Sequence, residues 1–206
     1  MKRRTLITII GIAAVLISLS NGLFGQEQYK IVQDKFTLKI EGTSNLHDWD
    51  MKAEKLSGDV QANVKNSLIK DFNAGDIHVQ VEKLESGKRI MNNKTYDALE
   101  SDDHPKISFQ LRSVENLYAA GSRFSGEAKG KLTIAGNSKM VTIPFSGKMN
   151  GNDEFSVNGN YSLKMSDYGV EPPSAMLGSM KTGDEVTIKY EMTFKEKSGM
   201  LTTKNK

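Results

Sequence analysis

From residue 27 onward, apolar and polar residues alternate with period 2, the pattern of strands that bury one face. Phe36, Leu38 and Ile40 alternate with Thr37 and Lys39, and Val60, Ala62 and Val64 with Gln61 and Asn63. Ile77, Val79 and Val81 flank His78 and Gln80, and Ile107, Phe109 and Leu111 flank Ser108 and Gln110. A long run follows, with Phe124, Gly126, Ala128, Gly130, Leu132 and Ile134 on one parity. Val141, Ile143 and Phe145 come next, then Phe155, Val157, Gly159, Tyr161, Leu163 and Met165. Val186, Ile188, Tyr190, Met192 and Phe194 close the series. The pattern predicts about eight strands.

Turn signals lie between these runs at Glu41–Asn45, Ser57–Asp59, Ala135–Asn137, Asn150–Asp153 and Thr182–Asp184. Such short connections make hairpins and meanders. Clean alternation also fits antiparallel sheet, not the continuous apolar runs of parallel sheet. Pro144 lacks a ladder N–H and is expected at an edge, a bulge or a strand end. Two stretches break the period. From Ile90 to Glu100, Met91, Thr95 and Leu99 recur four apart with Ala98 beside them, predicting a short helix. Between Tyr168 and Met180, Pro172-Pro173 can open a turn of helix carrying Ala175, Met176 and Leu177.

Eight antiparallel strands make a barrel or a two-sheet sandwich. The inward parity carries Gly126, Ala128, Gly130 and Gly159 where a filled core would want bulk. That leans toward a hollow barrel; the alternative is that these glycines mark bends or bulges.

Composition narrows the class further. The 206 residues are 37% hydrophobic, with 18 Gly and no Cys, which excludes full disorder and any disulfide scaffold, thiolate zinc site, Cys nucleophile or lipidated Cys. The formal net charge of +3 comes from Lys2, Arg3 and Arg4. They precede an apolar run, Leu6 to Leu19, shorter than the about 20 residues of a membrane span, and then small residues. That is the pattern of an export signal over residues 1–25, cleaved after Gly22 or, preferably, Gly25. A domain over residues 26–197 follows, with a flexible polar tail at 198–206. Without the three leading cations the domain is electrically balanced, which argues against a nucleic-acid partner. The mature protein is expected to be periplasmic or secreted, with no transmembrane anchor.

Four blocks of sequence carry a resemblance. They are IEGTSNLHDW from Ile40 to Trp49; Met91, Tyr96, Ala98 and Leu99 leading to His104-Pro105-Lys106-Ile107-Ser108-Phe109; Gly130-Lys131-Leu132-Thr133-Ile134-Ala135-Gly136 with Lys139 and Val141; and Ser166-Asp167-Tyr168-Gly169 with Gly183-Asp184-Glu185-Val186. In that order and spacing, over roughly Lys35 to Lys195, the chain resembles the YceI-like family, exported lipocalin-like barrels that bind polyisoprenoid or similar lipids. One departure stands out: the better-known branch leads its helix with an Arg-Asp pair, and here Ile90 follows Arg89. The resemblance implies an all-β, single antiparallel eight-stranded lipocalin-like barrel with one or two short helices near its mouth. It implies a noncatalytic binding protein for a long isoprenoid or related lipid, with no cofactor. An alternative on the same barrel is a structural or envelope-stress interaction protein without bound lipid. Whether the chain forms a homodimer is left open.

A long isoprenoid chain would leave water for such a tube, each buried CH₂ contributing about 0.8 kcal/mol before the loss of ligand freedom. The expected lining is Phe36, Leu38, Ile77, Val79, Phe109, Leu111, Leu132, Phe145, Tyr161 and Met165. Met91, Leu99, Met176 and Leu177 would close the mouth. The chain's 10 methionines suit an adaptable pocket. Ser44, His47 and Asp48 invite a hydrolase reading, but nothing in the sequence supplies an oxyanion hole or a nucleophile elbow. His47, His78 and His104 lack close metal-ligand spacing, and His78 belongs to the wet face of its strand. His47-Asp48-Trp49 is expected to form a polar and aromatic rim, with Trp49 capping the cavity or anchoring its hairpin.

Overall fold

A computed structural model describes residues 27–175 and 179–197. The strands are β1 (Glu27–Ser44), β2 (Trp49–Ala53), β3 (Leu56–Lys65), β4 (Leu68–Gln80), β5 (Leu84–Glu85), β6 (Lys106–Ala120), β7 (Arg123–Ile134), β8 (Asn137–Met149), β9 (Glu154–Lys164), β10 (Ser174–Ala175) and β11 (Met180–Glu196). One α-helix, α1 (Arg89–Ala98), lies between β5 and β6. The sheet runs β11-β9-β8-β7-β6-β4-β3-β1, and β1 pairs back onto β11 from Tyr29↔Glu196 to Ser44↔Thr182. Eight antiparallel strands therefore close a barrel, and β2, β5 and β10 are short additions to it. Closure removes the unpaired edges that an open sheet of this size would expose.

Bulges keep the apolar parity pointing inward. On β1, Tyr29 and Ile31 are buried at odd positions, whereas Phe36, Leu38 and Ile40 pack on the core at even ones. The register shift between Ile31 and Phe36, opposite Phe194 and Met192, makes that switch. Two shifts on β4 do the same for Ile69 and Phe72, both buried. The expected strand at Ile77–Val81 thus begins earlier, at Leu68, and stops at Gln80; Val81 is buried in a 3-10 turn, Val81–Lys83. Likewise β9 ends at Lys164, and Met165 opens a second 3-10 turn, Met165–Tyr168.

The β8–β9 ladder runs only from Ser146↔Asn158 to Met149↔Phe155. Pro144 stands just past its end, still opposite Glu127 of β7, so the expectation of a ladder boundary fits. Beyond it, side chains replace the ladder. The Tyr190 hydroxyl donates to Pro144 O at 3.1 Å, Asn137 Nδ2 donates to Tyr168 O at 2.9 Å, and Lys139 pairs with Asp167 at 2.8 Å. Burial pushes the Tyr190 phenol up to about 12.

The helical turn expected after Pro172-Pro173 is replaced where it can be seen: Ser174 and Ala175 pair with Lys181 and Met180 as a two-residue strand. Paired prolines bias the chain toward extended backbone, which suits a strand as well as a helix start. Met176 and Leu177, the signal segment at residues 1–25 and the tail at 198–206 lie outside the described residues.

Candidate functional site

The barrel encloses a cavity of about 910 Å³, at the upper end of the 300–1,000 Å³ usual for small-molecule sites. Its floor is aromatic. Phe155 touches the rings of Tyr29, Phe72, Phe124 and Phe194 at centroid distances of 5.0–6.0 Å, and all five residues are buried. The wall is built from the inward parity of the ring strands, so the interior is overwhelmingly apolar. At the mouth stand the β1–β2 turn and the first turns of α1.

Eleven of the expected lining residues lie on this wall: Leu38, Ile77, Val79, Met91, Leu99, Phe109, Leu111, Leu132, Phe145, Tyr161 and Met165. Phe36 does not. It follows the β1 bulge, pairs with Met192 and packs into the side-chain cluster around the floor. Period-2 counting missed Phe72, which bulges hide. It also misses Met51 and Tyr168, which belong to short or irregular elements yet line the same space.

The inward glycines are not what keeps the barrel hollow. A Cβ on Gly130 would meet the Phe109 ring at 2.6 Å, and one on Gly159 would meet the Tyr190 hydroxyl at 2.6 Å. Each glycine seats an aromatic ring against the sheet backbone. An empty volume does not account for them, because the ring across the ladder occupies the space that the missing side chain leaves; Gly130 also stands opposite Leu111 at a register shift of the β6–β7 ladder, as the bulge alternative expects. Ala128, between Val114 and Ile143 across the ladders, does lie on the cavity wall.

At the rim, Trp49 does both things expected of it. Its ring lies over Gly42, its Nε1 donates to Thr43 O at 3.0 Å, and it lines the cavity. The Ser44 hydroxyl donates to His47 O at 2.7 Å and accepts from the His47 N–H at 3.1 Å, so it builds the turn. His47 Nδ1 meets the backbone oxygen of Asp48 at 3.0 Å. Ser44, His47 and Asp48 therefore do not form a nucleophile–base–orienter chain. His78 sits 3.6 Å from Asp76, and His104 sits 3.7 Å from Glu100. Among the described residues no three of His, Asp and Glu gather at one point.

On α1, Asn92 is buried and fixes the helix to its approach. Its Oδ1 accepts from the Ser86 N–H at 2.9 Å and from the Ser86 hydroxyl at 2.7 Å, and its Nδ2 donates to Glu85. The Tyr96 hydroxyl donates to Leu84 O at 2.9 Å, and burial raises its phenol above the usual tyrosine value. These bonds pin one side of the helix and leave the side bearing Met91, Thr95 and Ala98 over the cavity.

Among curated proteins nothing matches the chain. Of solved structures, BcnA from Burkholderia cenocepacia superposes with a TM-score of 0.63 at 20% identity, over 79% of this chain and 98% of that one. A polyisoprenoid-binding domain from Saccharophagus degradans, implicated in plant cell wall breakdown, gives 0.66 at 12%, over 84% and 100%. The YceI protein of Campylobacter jejuni gives 0.55 at 17%, over 96% and 99%. At such identities these likenesses speak for the fold alone. The sequence model of the YceI-like domain matches residues 24–194, nearly the whole barrel. With a closed eight-stranded barrel around an apolar cavity and that match along its length, the chain belongs to the YceI-like family.

Proposed function

We propose that this protein is a noncatalytic carrier that holds one long apolar lipid, a polyisoprenoid or a quinone with such a tail, inside the barrel. The observation that carries the reading is the cavity itself: about 910 Å³, almost wholly apolar, floored by aromatic rings and bordered at one end by the polar residues of the β1–β2 turn and α1. Water in such a space finds few partners, and an apolar chain displaces it favourably. At about 0.8 kcal/mol per buried CH₂, a chain of several isoprene units offsets the freedom it loses on entry. A solved structure of the same fold described as polyisoprenoid-binding supports the reading. So does the export pattern of the sequence, which fits a carrier that works in the periplasm or outside the cell.

The test is native mass spectrometry of protein purified without denaturant, followed by extraction of what it releases. A one-to-one adduct releasing a prenyl-chain lipid is expected. Ala128→Phe, which fills the lumen from the wall, should abolish the adduct and leave the urea midpoint nearly unchanged. Protein that stays empty after purification and after incubation with quinones and polyprenols would overturn the proposal.

A further inference from the structure

We infer that the rim of the barrel is a docking surface for an anionic lipid bilayer, into which Leu46 and Ile90 insert. The inference goes beyond the carrier reading, because it stands on the outward side of the rim.

Four large apolar side chains are mostly exposed among the described residues. Tyr118 and Met140 stand singly on outward strand faces, opposite Ser125 and Lys131, which is ordinary for a surface. Leu46 and Ile90, 61% and 73% exposed, are a different case. Leu46 is in the β1–β2 turn between Ser44 and His47, which border the cavity, and Ile90 is in the first turn of α1. The two share one side of the mouth because β5 pairs antiparallel with β2, Glu85 opposite Lys52 and Leu84 opposite Ala53. The chain leaving Glu85 therefore runs back toward Trp49 and the turn before α1 begins.

A bonded turn holds Leu46 out. The Ser44 N–H donates to His47 O at 3.1 Å. Asn45 donates through Nδ2 to Ser179 O at 2.8 Å and accepts from the Lys181 N–H at 2.9 Å. Such tips ordinarily carry Gly, Asn, Asp or Ser. A leucine fixed there keeps apolar area in water that the fold itself does not use.

The same rim is cationic. Lys88, Arg89 and Lys94, at the start of α1, border the cavity, and Lys181 of β11 is bonded to the turn. The rim segments 44–49, 88–94, 171–175 and 179–182 hold these four cations against two acids, Asp48 and Glu171. Among the described residues none of the four cations enters an ion pair. No acid stands in the first turn of α1, where the helix dipole would favour one. Apolar tips among unpaired cations fit the interface of an anionic bilayer: the tips enter the acyl boundary and the cations meet phosphates. A stable protein contact would need a wider apolar patch than two side chains present. Docked this way, the mouth opens onto the membrane, and an apolar cargo passes without crossing water.

The test is flotation of the protein with vesicles of phosphatidylcholine alone or of phosphatidylcholine mixed with phosphatidylglycerol. Binding to the mixed vesicles should be stronger by on the order of ten-fold, and added salt should weaken it. Leu46→Glu combined with Ile90→Glu should lower that binding by on the order of ten-fold. The urea midpoint of this variant should stay nearly unchanged, since both side chains are exposed. Trp49, the single tryptophan, lies at the rim. Phosphatidylcholine brominated on its acyl chains, added to the mixed vesicles, should therefore quench its fluorescence. The quenching should persist in Ala128→Phe, whose filled lumen takes no lipid, which separates docking from cargo entry. Failure to float with either vesicle would overturn the inference and leave the rim to a protein partner. Flotation that the double substitution leaves unchanged, or that leaves Trp49 unquenched, would also overturn it by putting the contact on another face. Equal binding to both vesicles would overturn the anionic preference. A protein that docks but stays empty of lipid would overturn the carrier reading alone.

Discussion

At the end of the barrel where β7 and β9 begin, Tyr29, Phe72, Phe124, Phe155 and Phe194 pack ring against ring, and β8 is paired with both β7 and β9. At the opposite end β8 and β9 part, and discrete side-chain bonds tie the 3-10 turn after β9 to its neighbours: Asn137 of β8 to Tyr168, Lys139 of β8 to Asp167, and Ser166 to Asp184 of β11. The first end is sealed by apolar area, which is non-directional and cooperative. The second has a smaller apolar cluster, Leu132, Ile134, Val141, Tyr168 and Val170, and is fastened besides by polar contacts, each worth little alone. This asymmetry suits the lipid carrier proposed above. Rigidity belongs at the floor, and the separable contacts belong at the mouth.

Three changes bear on the contrast. Phe155→Ala removes the ring that four others touch, and should cost about 3–5 kcal/mol of unfolding free energy, read from urea titration. A loss below about 1 kcal/mol would mean that the floor collapses to refill the space, and the distinction between the ends would weaken. Gly147→Ala is next. Its Cβ would meet the Phe124 ring and, at 2.7 Å, the carbonyl of Ser156, and overpacking of this kind costs about 1–3 kcal/mol. The same titration checks it.

Asp184→Asn, at the mouth, should have the smallest effect. Ser166 donates to Asp184 from its N–H at 2.8 Å and from its hydroxyl at 2.6 Å, and these bonds hold the carboxyl below the usual aspartate value. A depressed folded value adds stability above the ordinary pKa, and that stability is lost as pH falls through the folded value. The variant should therefore be slightly less stable than the parent at pH 7 and should converge with it as pH falls below about 4. Paired urea midpoints at neutral and acidic pH test this. A gap that persists in strong acid would mean that packing, not ionisation, fastens the mouth.

Much of the ring was legible in the sequence, because a strand with one buried face repeats every two residues whatever surrounds it. All eight periodic runs coincide with barrel strands, and the helix expected at Ile90–Glu100 stands at Arg89–Ala98. The misses have specific causes. Leu68–Phe72 shows no alternation because two bulges break the period, and alternation alone puts Phe36 on the wall because it carries no sign of the bulge before it. β2 is only five residues long, too short to show a pattern beyond Met51 and Ala53. Gly130 and Gly159 were legible as small inward residues, but the rings over them come from other strands.

By itself the sequence determined local conformation and sidedness: which residues extend, where the chain turns, and which parity avoids water. It also marked the chain as a member of its family, through blocks in fixed order. The tertiary structure alone decided that the ring closes through β1 and β11, that the space inside stays open above an aromatic floor, and that three cations of one short stretch gather at its mouth. Those properties depend on which strands become neighbours across long stretches of chain. Alternation is set between adjacent residues, whereas a cavity is set by the side chains that fail to meet across the barrel.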